Sequence, residues 1–386
     1  MAPPGQPAIK INVYKNIPFA GGDGDSSILS VLFEAHSNGE GIFGFINMID
    51  SNKVRLMCRE CRYAIMDFPW MDDESHIKVS VKKWRASFPC ARAVNVSERP
   101  DIVDADFVHI RGDERAWLHT VDMRYCGSVT DAAFTHLRGI HKLNMTCCSQ
   151  ATITDSAFMH LRGIHTLEMS NCHQETITDA AFVPLRGIHT LDMSRCRQKT
   201  ITDAAFVHLR GIHTLDMNSC KQETITDAAF VHLRGIHTLD MWDCNQPTIT
   251  DAAFVHLRGL HTLDIRECNQ SAITDAAFVH LRGIHTLKIS FCNQVTITDA
   301  AFVNLSGIHT LMMNRCRQET ITDAAFVHLS GIHTLYIDHC NQATITAAAF
   351  KNLRGLRVVS TFNCSSAVKA AAAALVAEYE YMTDPY

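Results

Sequence analysis

The chain has 386 residues, 47% hydrophobic and 19% charged, with a formal net charge of −5 and both signs spread along it, so no global basic field favours nucleic acid. No stretch approaches the ~18 uncharged apolar residues of a membrane span, and the opening MAPPGQPAIKINVYKN lacks the apolar core of a secretory signal. Fifteen cysteines without an export signal imply reduced thiols and an intracellular protein, cytoplasmic or nuclear.

Residues 1–26 hold MAPPGQP and GGDGDSS and read as a flexible lead. Residues 27–72 form a helical region. Ile28, Leu29, Val31, Leu32 and Phe33 predict a first helix, and Ile42, Phe43, Phe45, Ile46 and Ile49 a second apolar segment. After Asp50, a further helix carries Val54, Leu56, Met57, Cys61 and Ile65 toward Phe68-Pro69-Trp70. Cys58 and Cys61 have the spacing of half a zinc site. Only Cys90 and His76 remain as further ligands before the repeats, so no metal is expected.

Residues 73–128 read as degenerate copies of the repeat unit that becomes regular near residue 129. Ala93–Ser97 and Val121–Met123 alternate like strands, and Val103–Ile110 reads as a helix. From about residue 129 one unit recurs, typified by ITDAAFVHLRGIHTLDMNSCKQET over 201–224. Cys148, Cys172, Cys196 and their successors to Cys364 stand 24 residues apart. Such a period marks a solenoid, in which each unit buries its apolar face against its neighbours.

Within a unit, Leu215 and Met217 alternate with Thr214, Asp216 and Asn218, which predicts a strand with one buried face. Thr226–Leu233 predicts a short helix capped by Thr226, with Asp227 at its positive end and a left-handed Gly235 beyond its close. Ile225, Ala229, Phe230 and Leu233 face inward. About twelve strands then pair in parallel from Val94 to Val358. Neighbouring cysteine sulfurs stand about one strand spacing apart, ~4.8 Å, too far for a disulfide ladder. The repeat region spans 73–364, and 365–386 form an alanine-rich capping helix and tail.

The pattern I-x-x-L-x-M-x-x-C-x-Q-x-x-I-T-D-A-A-F-x-x-L closely resembles the cysteine-containing class of leucine-rich repeats. The resemblance implies an α/β fold: a right-handed leucine-rich-repeat solenoid, a horseshoe with its parallel sheet on the concave face. Residues 27–72 resemble an F-box, through Phe43, Phe45, Ile46, Asp50, Val54, Leu56, Cys58, Arg59, Arg62 and Trp70. They lack the usual Leu-Pro pair before the first helix. A plain helical cap on the first repeat is the alternative reading of this region. The two resemblances together imply the substrate-recognition subunit of an SCF-type (Skp–cullin–F-box) ubiquitin ligase. In that reading Ile42, Phe43, Phe45, Ile46, Val54 and Leu56 contact a Skp-type adaptor. A leucine-rich-repeat binding module with no ubiquitin-ligase link is the alternative.

Comparison of one repeat with the next separates scaffold from signal. The scaffold positions hardly change, whereas the exposed strand positions and those around the cysteine do. Glu168, Asp192, Asp216, Asp240 and Asp264 form an acidic file that a basic partner segment would relieve. Trp242, Phe291, Met312 and Tyr336 add large apolar groups of the kind that anchor interfaces. These residues are the expected contacts of a protein target on the concave face; a solvated face whose residues drift freely is the alternative. Two periodic histidine files, His141 to His333 and His136 to His328, read as structural edge positions. No nucleophile elbow, zincin motif or phosphate loop is present, so neither enzyme activity nor a cofactor is expected.

Overall fold

The computed structural model describes residues 59–111 and 118–383. Of the first compact unit, Met1–Phe68, it describes the helix α1, Arg59–Asp67. The helix expected over 28–33 and the expected adaptor contacts Ile42, Phe43, Phe45, Ile46, Val54 and Leu56 lie outside the described residues.

The second unit, Pro69–Tyr386, holds the repeats. It opens with α2 (Val81–Ser87), β1 (Ala93–Asn95), α3 (Asp104–Arg111) and β2 (Thr120–Asp122). The regular strands come next: β3 (Lys142–Asn144), β4 (Thr166–Glu168), β5 (Thr190–Asp192), β6 (Thr214–Asp216), β7 (Thr238–Asp240), β8 (Thr262–Asp264), β9 (Thr286–Lys288), β10 (Thr310–Met312) and β11 (Thr334–Tyr336). The last strand is β12 (Val358–Ser360), and α4 (Ser366–Thr383) closes the described chain. The twelve strands form one sheet in sequence order. Pairing is parallel and in register by repeat, so Leu215 meets Leu239 and Leu239 meets Leu263. The fold is the expected leucine-rich-repeat solenoid.

Each repeat buries one apolar set. Leu215, Met217, Cys220, Ile225, Ala229 and Phe230 are fully buried, and Leu233 is 1% exposed. The phenylalanines from Phe134 to Phe350 are, with Trp70 and Phe107, the largest fully buried side chains. Each is worth roughly 1.5–3 kcal/mol of transfer free energy. The core is therefore a column shared by neighbours, with no repeat closed on its own.

The helical half is shorter than the sequence predicts. In place of a helix over Thr226–Leu233, one α-turn forms, Asp227–Phe230. Several repeats continue as a 3-10 turn, such as Val207–Leu209, and Asp179–Leu185 is 3-10 throughout. The chain must return to the sheet within a few residues, and 3-10 bonding tightens the end of the turn. Pro184 fits there because it forfeits one bond only, the counterpart of His232 N–H to Ala229 O at 3.2 Å. Gly235 is left-handed at φ +82°, as expected.

The capping threonine and the aspartate after it join one repeat to the next. Thr226 Oγ1 accepts the Ala228 N–H at 3.2 Å. Asp203, one repeat earlier, accepts both the Thr226 N–H and its Oγ1–H at 2.7 Å. Asp227 grips Thr250 in the same way. In the last repeat Ala347 replaces the aspartate, where no further Thr-Asp repeat comes after it. There α4 packs against Ala347–Asn352, with Val368 and Ala372 buried. At the other end the segment holding Trp70 and His76 covers β1. Trp70 O accepts the Arg92 and Ala93 N–H groups, and His76 bridges Asn95.

Replacing Asp227 with Ala removes two charge-assisted acceptors and orphans the Thr250 N–H. The expected cost is about 1–3 kcal/mol, read as a lower melting temperature. Ala347→Asp, with no threonine ahead of it, should produce no matching gain.

Candidate functional site: the outer face of the sheet and its rims

The acidic file lies on adjacent strands in register: Glu168 beside Asp192, then Asp216, Asp240 and Asp264. One oxygen of each aspartate has a local task. Asp192 Oδ1 accepts the Ser194 N–H at 2.8 Å, Asp216 Oδ1 the Asn218 N–H at 2.9 Å, and Asp240 Oδ1 the Trp242 N–H at 3.0 Å. This short side-chain turn ends the strand after three residues. Where Lys288, Met312 and Tyr336 replace the acid, a neighbouring repeat can substitute. Asn314 N–H reaches Ser290 Oγ, and Asp338 N–H reaches Asn314 Oδ1. The aspartates are therefore partly structural, and their second oxygens carry the surplus charge.

The two ends of the file are neutralised internally. Glu168 pairs with Lys142 at 3.3 Å and accepts from Asn144. Asp264 is 1% exposed and its carboxylate is taken by Arg266 at 2.7 Å and Lys288 at 3.3 Å. Asp264 thus has little charge left to offer a partner, contrary to the sequence expectation. The uncompensated middle consists of Asp192, Asp216 and Asp240. Burial, then Asp264 and Asp216 beside it, pushes Asp240 up to about 6. Burial also raises Asp216, with the charges of Asp192 and Asp264 adding to it.

The apolar residues are spread more widely than their spacing implies. Trp242 lies just past β7 under Arg266, whose guanidinium is 5.1 Å from the ring centre. Met312 and Tyr336 sit side by side on β10 and β11, half-buried on the outer face. Phe291 is on the rim past β9, in a left-handed turn at φ +64°, and packs against Arg315. Its alternation with the strand misleads, because the three-residue strand has already ended.

The cysteines and histidines are ladders. Each repeat thiol donates to a carbonyl of the preceding repeat, as Cys220 Sγ does to Met193 O at 3.1 Å. Burial pushes Cys126 up to about 11 and Cys148 and Cys340 to about 12, so these thiols stay protonated. Cys90, Cys126, Cys147 and the repeat cysteines from Cys148 to Cys364 are free. A row of buried glutamines runs beside them, as in Gln246 Nε2 to Cys220 O at 3.1 Å. Imidazoles from His119 to His333 stack face to face with centroids 4.4–4.5 Å apart, one repeat earlier than the sequence file begins. Except at His141, which Lys142 follows, each Nδ1 meets the next residue's threonine hydroxyl, as in His213 to Thr214 at 3.1 Å. In the second file, His160, His208, His232 and His256 each accept from an arginine of the preceding repeat. Among the described residues no three His, Cys, Asp or Glu side chains converge to hold a metal.

One further rim escapes the sequence reading. The position after the cysteine is asparagine in some copies and basic in others, His173, Arg197, Lys221 and Arg317, and that variation is its signal. Asn245 Oδ1 accepts the Asn269 N–H, and Asn269 Oδ1 the Asn293 N–H, each at 2.7 Å. His173, Arg197 and Lys221 occupy the same slot earlier in the chain.

Alkylation with peptide mapping should modify the half-exposed Cys90 and Cys147 and spare Cys172 to Cys340; rapid labelling of the latter set would contradict the thiol ladder. The histidines carry a pH dependence of their own. Burial lowers His141, His213, His285 and His333, with neighbouring imidazoles adding to it for His141, His213 and His285, and His309 and Arg357 for His333. Burial and an adjacent arginine lower His160, His208, His232 and His256. The unfolded chain, at ~6.5, therefore binds more protons than the folded one, and stability falls as pH drops through that value. The melting temperature should decline from pH 7.5 to 5.5. Raised Asp240 opposes the trend, so Asp240→Asn should steepen it.

No family model and no curated protein matches the chain in sequence. Similar solved structures exist. Yeast Rad7, solved in complex with Elc1, matches with TM-score 0.54 and 14% identity, covering 86% of this chain and 92% of that one. TLR13, solved with ssRNA13, matches with TM-score 0.53 and 17% identity over 75% of this chain and 49% of that one. Drosophila Toll, in its Spatzle complex, matches with TM-score 0.52 and 13% identity over 71% and 43%. The present chain thus spans about half the length of the two Toll-type proteins or less. At these identities the likeness is one of fold, and the fold is a leucine-rich-repeat-type solenoid.

Proposed function

We propose that this chain is a protein-interaction scaffold that holds its partner on the outer face of the sheet. One observation carries the reading. Repeats that are nearly identical in core and ladders differ where side chains leave the sheet, and there they set an uncompensated acidic row beside large apolar groups. A partner with a basic segment over Asp192, Asp216 and Asp240 relieves like-charge repulsion. An apolar part over Trp242, Met312, Tyr336 and Phe291 supplies the anchors.

The finer reading is substrate recognition within an SCF-type ubiquitin ligase, with residues 27–72 docking a Skp-type adaptor through Ile42, Phe43, Phe45, Ile46, Val54 and Leu56. It rests on the F-box resemblance of that segment. The yeast Rad7 structure, in which a similar solenoid is found in complex with Elc1, is in keeping with it. A second reading, a binding module with no ligase link, is favoured by the missing Leu-Pro pair before the first helix.

Affinity purification from native cells tests both levels. Trp242→Ala with Tyr336→Ala should weaken partner capture by ~10-fold or more with little change in melting temperature. An unchanged partner set would sink the scaffold reading. Phe43→Ala with Phe45→Ala should lose a Skp-type adaptor and keep the target; if the unaltered chain captures no adaptor, the second reading stands. Target binding should also weaken below pH 6, as Asp240 takes up its proton.

A further inference from the structure

A cavity of about 450 Å³ opens where the chain leaves β4 and β5, lined by Asn171, His173, Glu175, Arg195, Arg197 and Gln198. It lies past the strand ends, on the rim, and uses none of the residues assigned to the acidic row. Its walls are fixed by the repeat. Asn171 and Arg195 are held left-handed at φ +57° and +56°, in turns closed by Cys172 N–H to Met169 O and Cys196 N–H to Met193 O. Gln198 is 1% exposed and anchored by its Nε2 to Cys172 O at 3.1 Å. Arg197 Nε donates to Ser219 O at 3.2 Å, which orients its guanidinium and leaves its outer nitrogens unengaged.

The charged groups at this cavity do not satisfy one another. The side chains of His173, Glu175 and Arg195 form no hydrogen bond or ion pair with described residues, although both signs line one space. The slot itself departs from a structural norm of the chain. Where Asn245 and Asn269 stand, the side chain bonds the next repeat's backbone. His173 and Arg197 give up that bond and present basic groups instead.

We propose that this cavity is a carboxylate-binding site, which receives an aspartate or glutamate side chain of a protein partner. Two guanidinium groups match a planar carboxylate through paired N–H donors. Arg195 and Arg197 against Glu175 leave one net positive charge, which suits a monoanion. A phosphate ester, nearly a dianion at pH 7, meets stronger repulsion from Glu175. The site deepens the scaffold reading by naming a second contact: basic groups of the partner on the acidic row, an acidic one on the rim.

The test uses the full chain and a fluorescein-labelled tetraglutamate peptide, followed by anisotropy at low ionic strength, where exposed charges are least screened. Saturable binding should weaken ~10-fold or more in Arg195→Gln/Arg197→Gln. Arg315→Gln/Arg317→Gln removes the same two repeat positions elsewhere, where Arg315 is held over Phe291, and should bind as the unaltered chain does. Glu175→Gln should tighten binding and narrow any preference for glutamate over phosphoserine. Equal losses in the two arginine pairs, or no saturable binding, would overturn the proposal, and a phosphoserine peptide that binds more tightly than tetraglutamate would overturn its carboxylate specificity. Trp242→Ala/Tyr336→Ala should leave peptide binding intact, so this site and the sheet-face reading fail separately.

Discussion

A carboxylate that reaches one repeat forward sets the spacing of this solenoid. From Asp104–Thr130 to Asp323–Thr346, the aspartate after each capping threonine, or Asp104 in the first, less regular repeat, holds the next threonine by its hydroxyl. The threonine thus ends a helix turn within its own repeat and fixes the next repeat's distance. Thiol and glutamine ladders do the same nearer the sheet, and backbone pairing does so at the strands. The buried thiols, and the buried glutamines Gln174, Gln198, Gln246, Gln270, Gln294 and Gln342, find their partner in an adjacent copy. A repeat of different length would break several rows at once, and over the regular region the 24-residue step never changes.

That rigidity separates structural duty from recognition. Side chains pointing into the stack answer to two neighbours and scarcely vary. Those leaving the sheet answer mainly to water and to local turns, and in places to one neighbour, as Asp264 does to Lys288. The acidic row stands on the boundary between the two. One oxygen of each of Asp192, Asp216 and Asp240 stops the strand, and the other adds to a line of like charge at strand spacing. Lys142 and Lys288 close the ends and leave the centre frustrated. Burial, with that frustration added to it, raises the proton affinity of Asp240, and a cationic partner is the other way to relieve the charge.

The fold is legible in the sequence because the 24-residue period and the alternation of Leu215 and Met217 are direct consequences of stacking. Burial of Leu215, Phe230 and Ile225 comes from the same pattern. The helical half reads too long, because Ala-Ala-Phe has good helix propensity while closure of the coil allows only one turn. Asp227 reads as serving a helix end, whereas its partner sits one repeat ahead in Thr250, a contact that linear spacing does not reveal. Trp242, Phe291, Met312 and Tyr336 look like one patch only while alternation is carried past the point where the strand stops. The basic rim is hidden because a single unit, viewed alone, gives no reason to set Arg197 against Asn245.

Two left-handed positions in each repeat show why that rim can carry specificity. Gly139 to Gly355 hold φ between 79° and 92°, beyond the range where a side chain is comfortable, and every copy there is glycine. The residue before the cysteine holds φ between 54° and 64°, the one left-handed well open to side chains, at a cost of roughly 1–2 kcal/mol. The next repeat and the local turn enforce it together: Ser219 N–H is drawn to Trp242 O at 2.7 Å, and Cys220 N–H to Met217 O within the same repeat. Glycine would relieve the strain, yet none of these positions uses it. They carry tyrosine, cysteine, asparagine, arginine, serine, aspartate, glutamate, phenylalanine and histidine instead. Such a position, fixed in direction by the stack and free in chemistry, is where a repeat protein can change what it binds without changing how it folds.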